Sequence, residues 1–322
     1  MAALDDLIAA WPVWPTILGV HMLLIVVPAS VAFLALYVWK GNPLRERKIQ
    51  PGFAPSHAIR REVFYSLLTA FIFALNGVFI YVSMANGWTL IYTDFADYGW
   101  LYGAFSLAVT IVLHDAYFYW THRLMHHPLL FDRFHRLHHE SHSPSPWAAY
   151  AFAPVEAVVQ ALFLTILIFV LPLHVTVIYL FMIHMIVRNV IGHSGFELFP
   201  RGMPAHAVLG VLTTNTHHDL HHSSRGSNYG LYFTWWDRLA GTEHPNYREA
   251  FDRVTRGQEG PAVLSSEAPE TRSPTATDNA GADHGPAWNV DPRGACGIDK
   301  LETPIGAPAD TLADATETRA AG

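Results

Sequence analysis

The sequence contains one cysteine, Cys296, in 322 residues. An intrachain disulfide is therefore excluded, and so is any CxxC or thiolate-rich metal site. Charge is scarce as well. Asp, Glu, Lys and Arg make up 15% of the chain, against about 25% in an ordinary soluble domain. The formal net charge of −7 excludes a strongly basic nucleic-acid binder. Most of that charge is at one end, since residues 256–322 hold five Lys/Arg and eleven Asp/Glu. This segment has a single aromatic residue, Trp288, and is rich in Ala, Pro, Gly and Thr. It has too little apolar surface to offset ordering entropy, so a disordered acidic tail is expected over 256–322. The N-terminus lacks the basic stretch of a cleavable signal and carries Asp5 and Asp6 instead. No repeat of fixed period is present.

Apolar residues are abundant, at 51% of the chain with a mean hydropathy of +0.19. Ile17–Trp39, Phe64–Ala85 and Trp100–Trp120 are each long enough to span a bilayer as a helix. The third carries His114 and Asp115 near its end. Val155–Val187 is 33 residues with Pro172 near its middle. At about 1.5 Å per residue it is about 50 Å long, so it is expected to fold into a helical hairpin with legs of about 25 Å. The expected fold is an all-α integral membrane protein of about three transmembrane helices plus this hairpin. Lys40, Arg45, Arg47, Lys48, Arg60 and Arg61 fill the first loop, whereas Met84–Tyr98 has no Lys or Arg. The positive-inside rule puts the first loop in the cytoplasm. Counting crossings then places the C-terminus and the histidine-rich segments there too.

Histidine is the residue in excess, with 20 copies. Eight lie between His114 and His142, and seven between His184 and His222. Three segments carry a regular spacing: His122 with His126; His135, His138 and His139; and His218, His221 and His222. Positions i, i+3 and i+4 share a helix face, so each segment is expected to present its imidazoles to one place. Neutral imidazole ligates Fe, Zn, Cu and Ni. Eight such side chains exceed the four of a tetrahedral ion and imply two ions, held in a helical cap at the cytoplasmic surface. His193 fits less well on spacing alone. His114, His127, His142 and His217 are possible additional contacts. His21, His57, His174, His184, His206, His244 and His284 read as hydrogen-bonding or interfacial residues. Among nearby carboxylates, Asp219 lies between ligands and Asp115 within an apolar helix, so these two are expected to orient the ligands. Asp132, Glu140, Glu156 and Asp237 stay unassigned. The aromatic stretch Tyr229–Trp236 is expected to anchor at the headgroups or to shape a substrate mouth.

Trp120-Thr121-His122-Arg123, His135-Arg136-Leu137-His138-His139-Glu140, Gly192-His193-Ser194-Gly195 and Asn215-Thr216-His217-His218-Asp219-Leu220-His221-His222 follow one another in order. Asn228-Tyr229-Gly230 and Phe233-Thr234-Trp235-Trp236-Asp237-Arg238 come next. As a set over residues 100–245 they resemble the sterol desaturase / fatty acid hydroxylase superfamily. The closing Thr-Trp-Trp-Asp-Arg signature is similar to its C-4 methylsterol oxidase and sterol C-5 desaturase branch. The resemblance implies a fatty acid hydroxylase-like domain over 100–245 behind N-terminal transmembrane helices in 1–99. It implies two non-haem Fe ions held by His122, His126, His135, His138, His139, His193, His218, His221 and His222. It also implies O2 as co-substrate, electrons from an external electron-transfer protein, and a lipid such as a sterol or fatty acid as substrate. That lipid would be hydroxylated or desaturated at a C–H bond.

Two departures stand out. Asn189 takes the place of a histidine four residues before His193, where it can ligate weakly or hydrogen-bond. Ala153-Pro154-Val155-Glu156 replaces a His-Pro-x-Glu motif. Other classes fit the residues less well. A membrane metal transporter or metal-binding protein would place its ligands near the bilayer midplane on broken helices, not at helix ends. A zinc hydrolase would carry His-Glu-x-x-His, which is absent from the sequence.

Overall fold

The computed structural model describes residues 12–224 and 226–257. From residue 258 on, the expected acidic tail lies outside the described residues. Among the described residues, four helices are long and apolar enough to cross a membrane. The first, α1 (Trp14–Phe33), continues through a π-turn at Leu34–Val38. The second, α2, is Ser56–Ala85, and the third, α3, is Gly99–Met125. Two short helices follow, α4 (Pro128–Phe134) and α5 (Arg136–His139). The expected hairpin consists of α6 (Pro154–Leu167) and α7 (Val175–Gly192). Its legs are unequal. The 14 residues of α6 reach only about 21 Å, so α6 is not a full crossing on its own. Beyond the hairpin come α8 (Asn215–Ser224), α9 (Trp235–Leu239) and α10 (Tyr247–Thr255).

Local chemistry explains several of these ends. Pro128 and Pro154 open α4 and α6, where a missing N–H costs nothing. The His127 ring caps α4 by accepting from the Leu129 N–H, and the His174 ring caps α7 by accepting from the Thr176 N–H. Buried positions on α2 are small or polar (Ala70, Ala74, Ser66, Thr69), and Phe64, Phe71 and Phe79 face outward. That inversion of the soluble pattern is what a lipid solvent selects, because small residues let helix backbones approach closely.

One core joins Ile25 of α1 and Ala70 of α2 to Tyr150, Phe152, Ala157 and Val190. The N-terminal helices thus pack directly on the segments that carry the histidines. At one end of the bundle, β1 (Ile91–Tyr92) pairs in parallel with β2 (Leu173–His174), tying the α2–α3 loop to the hairpin turn. At the other end the basic segment meets the histidine-bearing segments. Ile49 N–H donates to Gly195 O, Glu197 N–H donates to Arg47 O, and Arg61 pairs with Glu140 at 2.9 Å. The cap reaches past residue 245, since Tyr247, Ala250 and Phe251 of α10 pack on Leu220 of α8.

Candidate metal centre

Nine histidines converge at this end of the bundle, in two groups. His122, His126, His135, His139 and His221 form one; His138, His193, His218 and His222 form the other. Within each group the candidate ligand atoms lie within 4.8 Å of one another. All nine are buried except His126, which is partly exposed.

The grouping differs from what the spacing suggested. A segment does not send all its rings to one place. The i,i+4 pairs stay together: His122 with His126, His135 with His139, His218 with His222. The i+3 residues, His138 and His221, cross to the other group. A step of three residues leaves a side chain about 60° from its neighbour's direction, whereas four leave about 40°. In a closely packed centre that difference is enough to separate two foci. Local breaks help. His126 is the C-cap of α3, and His135 sits at the junction between α4 and α5.

Contacts within the groups run through Nε2. In the five-membered group His122–His135 is 2.9 Å, His126–His139 3.1 Å and His139–His221 3.0 Å. In the four-membered group His193 lies 3.2 Å from His138, 2.9 Å from His218 and 3.2 Å from His222. Burial holds His193 down to about 4. Burial, reinforced by neighbouring imidazoles, holds His135, His138, His139, His218, His221 and His222 well below the usual imidazole range. These rings are neutral near pH 7, and neutral rings have a lone pair to donate.

Their outer nitrogens are held by specific acceptors. His122 Nδ1 meets Tyr229 O at 2.9 Å, His221 Nδ1 meets Ser227 O at 2.7 Å, and His193 Nδ1 meets Asn189 O at 2.9 Å. His135 Nδ1 meets Glu156 Oε1 at 2.7 Å, with both side chains buried. A carbonyl or carboxylate on Nδ1 puts the proton there and leaves Nε2 to point inward bare. Several converging lone pairs repel one another unless a cation lies between them. The donor set therefore fits metal ions. Five donors in one group exceed the four that a tetrahedral ion takes.

The remaining candidates are placed elsewhere. His114 Nδ1 meets Tyr232 OH at 2.9 Å, among Phe163 and Phe181. His127 is the α4 cap, and His142 belongs to neither group. His217 lies on Tyr247, with Nε2 3.5 Å from Asp237. Asn189 serves through its main chain, and its side-chain amide donates to Ala149 O. Asp115 accepts from Tyr232 N, Phe233 N and Trp235 Nε1, so its acceptors hold a loop and not a ligand ring. Asp219 points to Gln50, away from the rings on the same helix. Glu156, left unassigned by the sequence, is the carboxylate that reaches a grouped histidine. Its signal was present: it is the Glu retained in the altered Ala-Pro-Val-Glu motif.

Within the aromatic stretch Tyr229–Trp236, Tyr229 and Tyr232 are buried against the protein, and Phe233, Trp235 and Trp236 are half-buried. Asn228 adopts φ +58° and uses its side chain to donate to His217 O and to accept from the His244 N–H. Asp237 accepts from the N–H groups of Tyr229 and Gly230 and from the Thr242 hydroxyl. The Trp-Trp-Asp signature thus fixes the loop whose carbonyls orient His122 and His221.

Comparison with known proteins points the same way. Residues 107–242 match the fatty acid hydroxylase family model. The chain is 30% identical over 184 residues to a Delta(7)-sterol 5(6)-desaturase of Gibberella zeae, covering 57% of this chain and 55% of that protein. It is 31% identical over 192 residues to lathosterol oxidase of Mus musculus, covering 58% and 62%. A Delta(7)-sterol 5(6)-desaturase of Aspergillus fumigatus is 27% identical over 249 residues, covering 76% and 69%. The chain thus spans a little over half the length of the first two relatives. No solved structure matches it. The family match over residues 107–242, these relatives and the ordered histidine motifs agree: this part of the chain is similar to the sterol desaturase / fatty acid hydroxylase superfamily.

Proposed function

We propose that this chain is a membrane-bound non-haem di-iron oxygenase acting on a C–H bond of a lipid, with O2 and an external electron donor. The observation that carries the reading is the pair of adjoining histidine foci, five and four rings, linked through the neighbours His138–His139 and His221–His222. In this reading the five-membered group holds one iron and the four-membered group the other. When bound, the irons would supply activation of O2 for removal of hydrogen from an unreactive C–H bond. The protein's part is positioning. Glu156, Asn189, Ser227 and Tyr229 fix the ring tautomers, and burial keeps the rings neutral and bulk water out. His126, the partly exposed member, marks the accessible side of its group.

The printed activities of the relatives favour a sterol-type substrate and desaturation. The basic segment around Lys40–Arg61 touches the cap, so the positive-inside rule puts basic loop, cap and C-terminus in the cytoplasm. A cytoplasmic electron-transfer protein would then reach the centre. We assign residues 1–99 as membrane helices, 100–245 as the catalytic domain, and 256–322 as a tail outside the catalytic unit.

The test is metal content and lipid oxidation on the full chain in mild detergent, beside His139→Ala and His222→Ala. About two irons per wild-type chain, with turnover lost in both variants, is the expected result. Retained turnover in both, or no tightly bound iron, would refute the reading.

A further inference from the structure

A line of aromatic rings runs from the five-histidine group to the protein surface. The Tyr229 ring packs on His122, His126 and His221, with centroids 5.6, 5.1 and 5.4 Å away. Tyr119, fully buried, lies 6.2 Å from Tyr229. Tyr119 in turn stacks on Trp236 at 5.9 Å and meets Trp120 edge-on at 5.3 Å. The two tryptophans are 6.0 Å apart, and Trp120 is 53% exposed.

Tyr119 also has a hydrogen-bond chain whose direction is fixed by its ends. Arg123 Nη1 donates to Tyr119 Oη at 3.3 Å. Tyr119 Oη is 3.0 Å from Thr242 Oγ1, and Thr242 Oγ1 donates to Asp237 Oδ1 at 2.8 Å. A guanidinium only donates and a carboxylate only accepts. Tyr119 therefore donates to Thr242, and a proton leaving Tyr119 has a route to Asp237. A buried phenol with rings on both sides and a proton acceptor two bonds away is arranged for one-electron oxidation.

We propose that Tyr119 is a redox-active tyrosine that drains oxidising equivalents from the metal centre to Trp120 and Trp236 when no lipid substrate is bound. The inference rests on the di-iron reading above. In the step, Tyr119 would give up one electron through the Tyr229 ring to a peroxide- or O2-oxidised iron centre held by the five histidines, which would be reduced by one electron. Tyr119 loses that electron, its phenolic proton moves to Thr242 Oγ1, and the Thr242 proton moves to Asp237, which becomes neutral. An electron from Trp120 or Trp236, with return of the proton from Asp237, restores Tyr119. The oxidised tryptophan would then take one electron from an external reductant or add O2, most readily at Trp120, the exposed end of the line.

The test uses the iron-loaded full chain in detergent, without lipid, treated with hydrogen peroxide and freeze-quenched for electron paramagnetic resonance. Metal-free chain with the same peroxide is the control. Wild type is expected to give a tyrosine radical that the control lacks. Tyr119→Phe should abolish it with iron content unchanged. Thr242→Val, which breaks the proton route but keeps the side-chain shape, should weaken it several-fold. Peptide mass spectrometry should find oxygen added to Trp120 and Trp236 above the level at Trp88 and Trp100, exposed residues remote in sequence from the relay. An undiminished radical in Tyr119→Phe, or no radical although iron is bound and becomes oxidised, would overturn the relay alone. Failure to bind iron at all would overturn the relay together with the di-iron reading.

Discussion

His138 and His139 are consecutive on α5, yet they point into different histidine groups. His138 Nε2 approaches His193, and His139 Nε2 approaches His126 and His221. Each group therefore depends on a different residue of the pair. His139→Ala should lower bound iron from about two toward one per chain, and His138→Ala should do the same at the other position. Elemental analysis gives the stoichiometry, and Mössbauer spectra should show different surviving iron environments in the two variants. Identical residual spectra would argue that the two groups do not hold separate ions.

Glu156 holds His135 in the tautomer that leaves Nε2 bare. Glu156→Ala is expected to weaken iron binding by about 10–100-fold, because the loss of such an outer partner typically costs that much. Glu156→Gln should fall between, since its carbonyl can still accept from His135 Nδ1. Competitive titration against a chelator reads both. An alanine variant with wild-type affinity would show that the contact is dispensable.

Gly230 is where the loop runs closest to its neighbours. An added Cβ would lie 2.5 Å from Phe233 O and 2.9 Å from Asp237 Oδ2. Gly230→Ala must shift the loop, at a cost of about 1–3 kcal/mol for overpacking. The shift also moves the adjacent Tyr229 carbonyl that orients His122. A lowered melting temperature together with reduced iron content is expected. Destabilisation with full iron content would separate the loop from ligand orientation.

The metal-free protein should lose stability as pH falls from about 6.5 to about 4. Burial holds His193 at about 4 and His217 at about 3, so in this window the unfolded chain binds protons that the folded chain refuses. The six other grouped histidines outside the spanning helices shift in the same direction. Asp219, Asp237 and Glu197 oppose this, since burial raises Asp219 to about 7 and Asp237 to about 6 and raises Glu197 as well, and they favour the folded state when protonated. The histidines outnumber them. Thermal melts in chelator across this range measure the net effect, and rising stability on acidification would contradict the assignment of neutral rings.

The topology predicts that a reporter fused after Gly322 is active only in the cytoplasm, and that one in the loop containing Trp88 is active only outside it. The opposite pattern would invert the orientation and put the electron donor on the other side.

Much of this protein is determined by its sequence. Long runs of apolar residues leave helices in a membrane as the only way to satisfy the backbone, and Pro172 breaks the fourth run into a hairpin. The recurrence of histidine at spacings of three and four marks eight of the nine residues that the fold gathers, and His193 stands outside that pattern. Periodicity along one helix could not divide them into five and four. That division depends on the crossing of α3, α5, α7 and α8, where a ring's direction relative to three other helices selects its group. Nor could it choose among the carboxylates. Asp115 and Asp219 lie nearer the motifs in sequence, but their helix faces turn them to a loop and to Gln50. Glu156 comes from the hairpin's first turn, 21 residues after the ring it holds. The acceptors on His122 and His221 are main-chain carbonyls, which any residue type supplies. Residue identity carries no record of where a carbonyl points, so only the tertiary structure decided how the ligands are held.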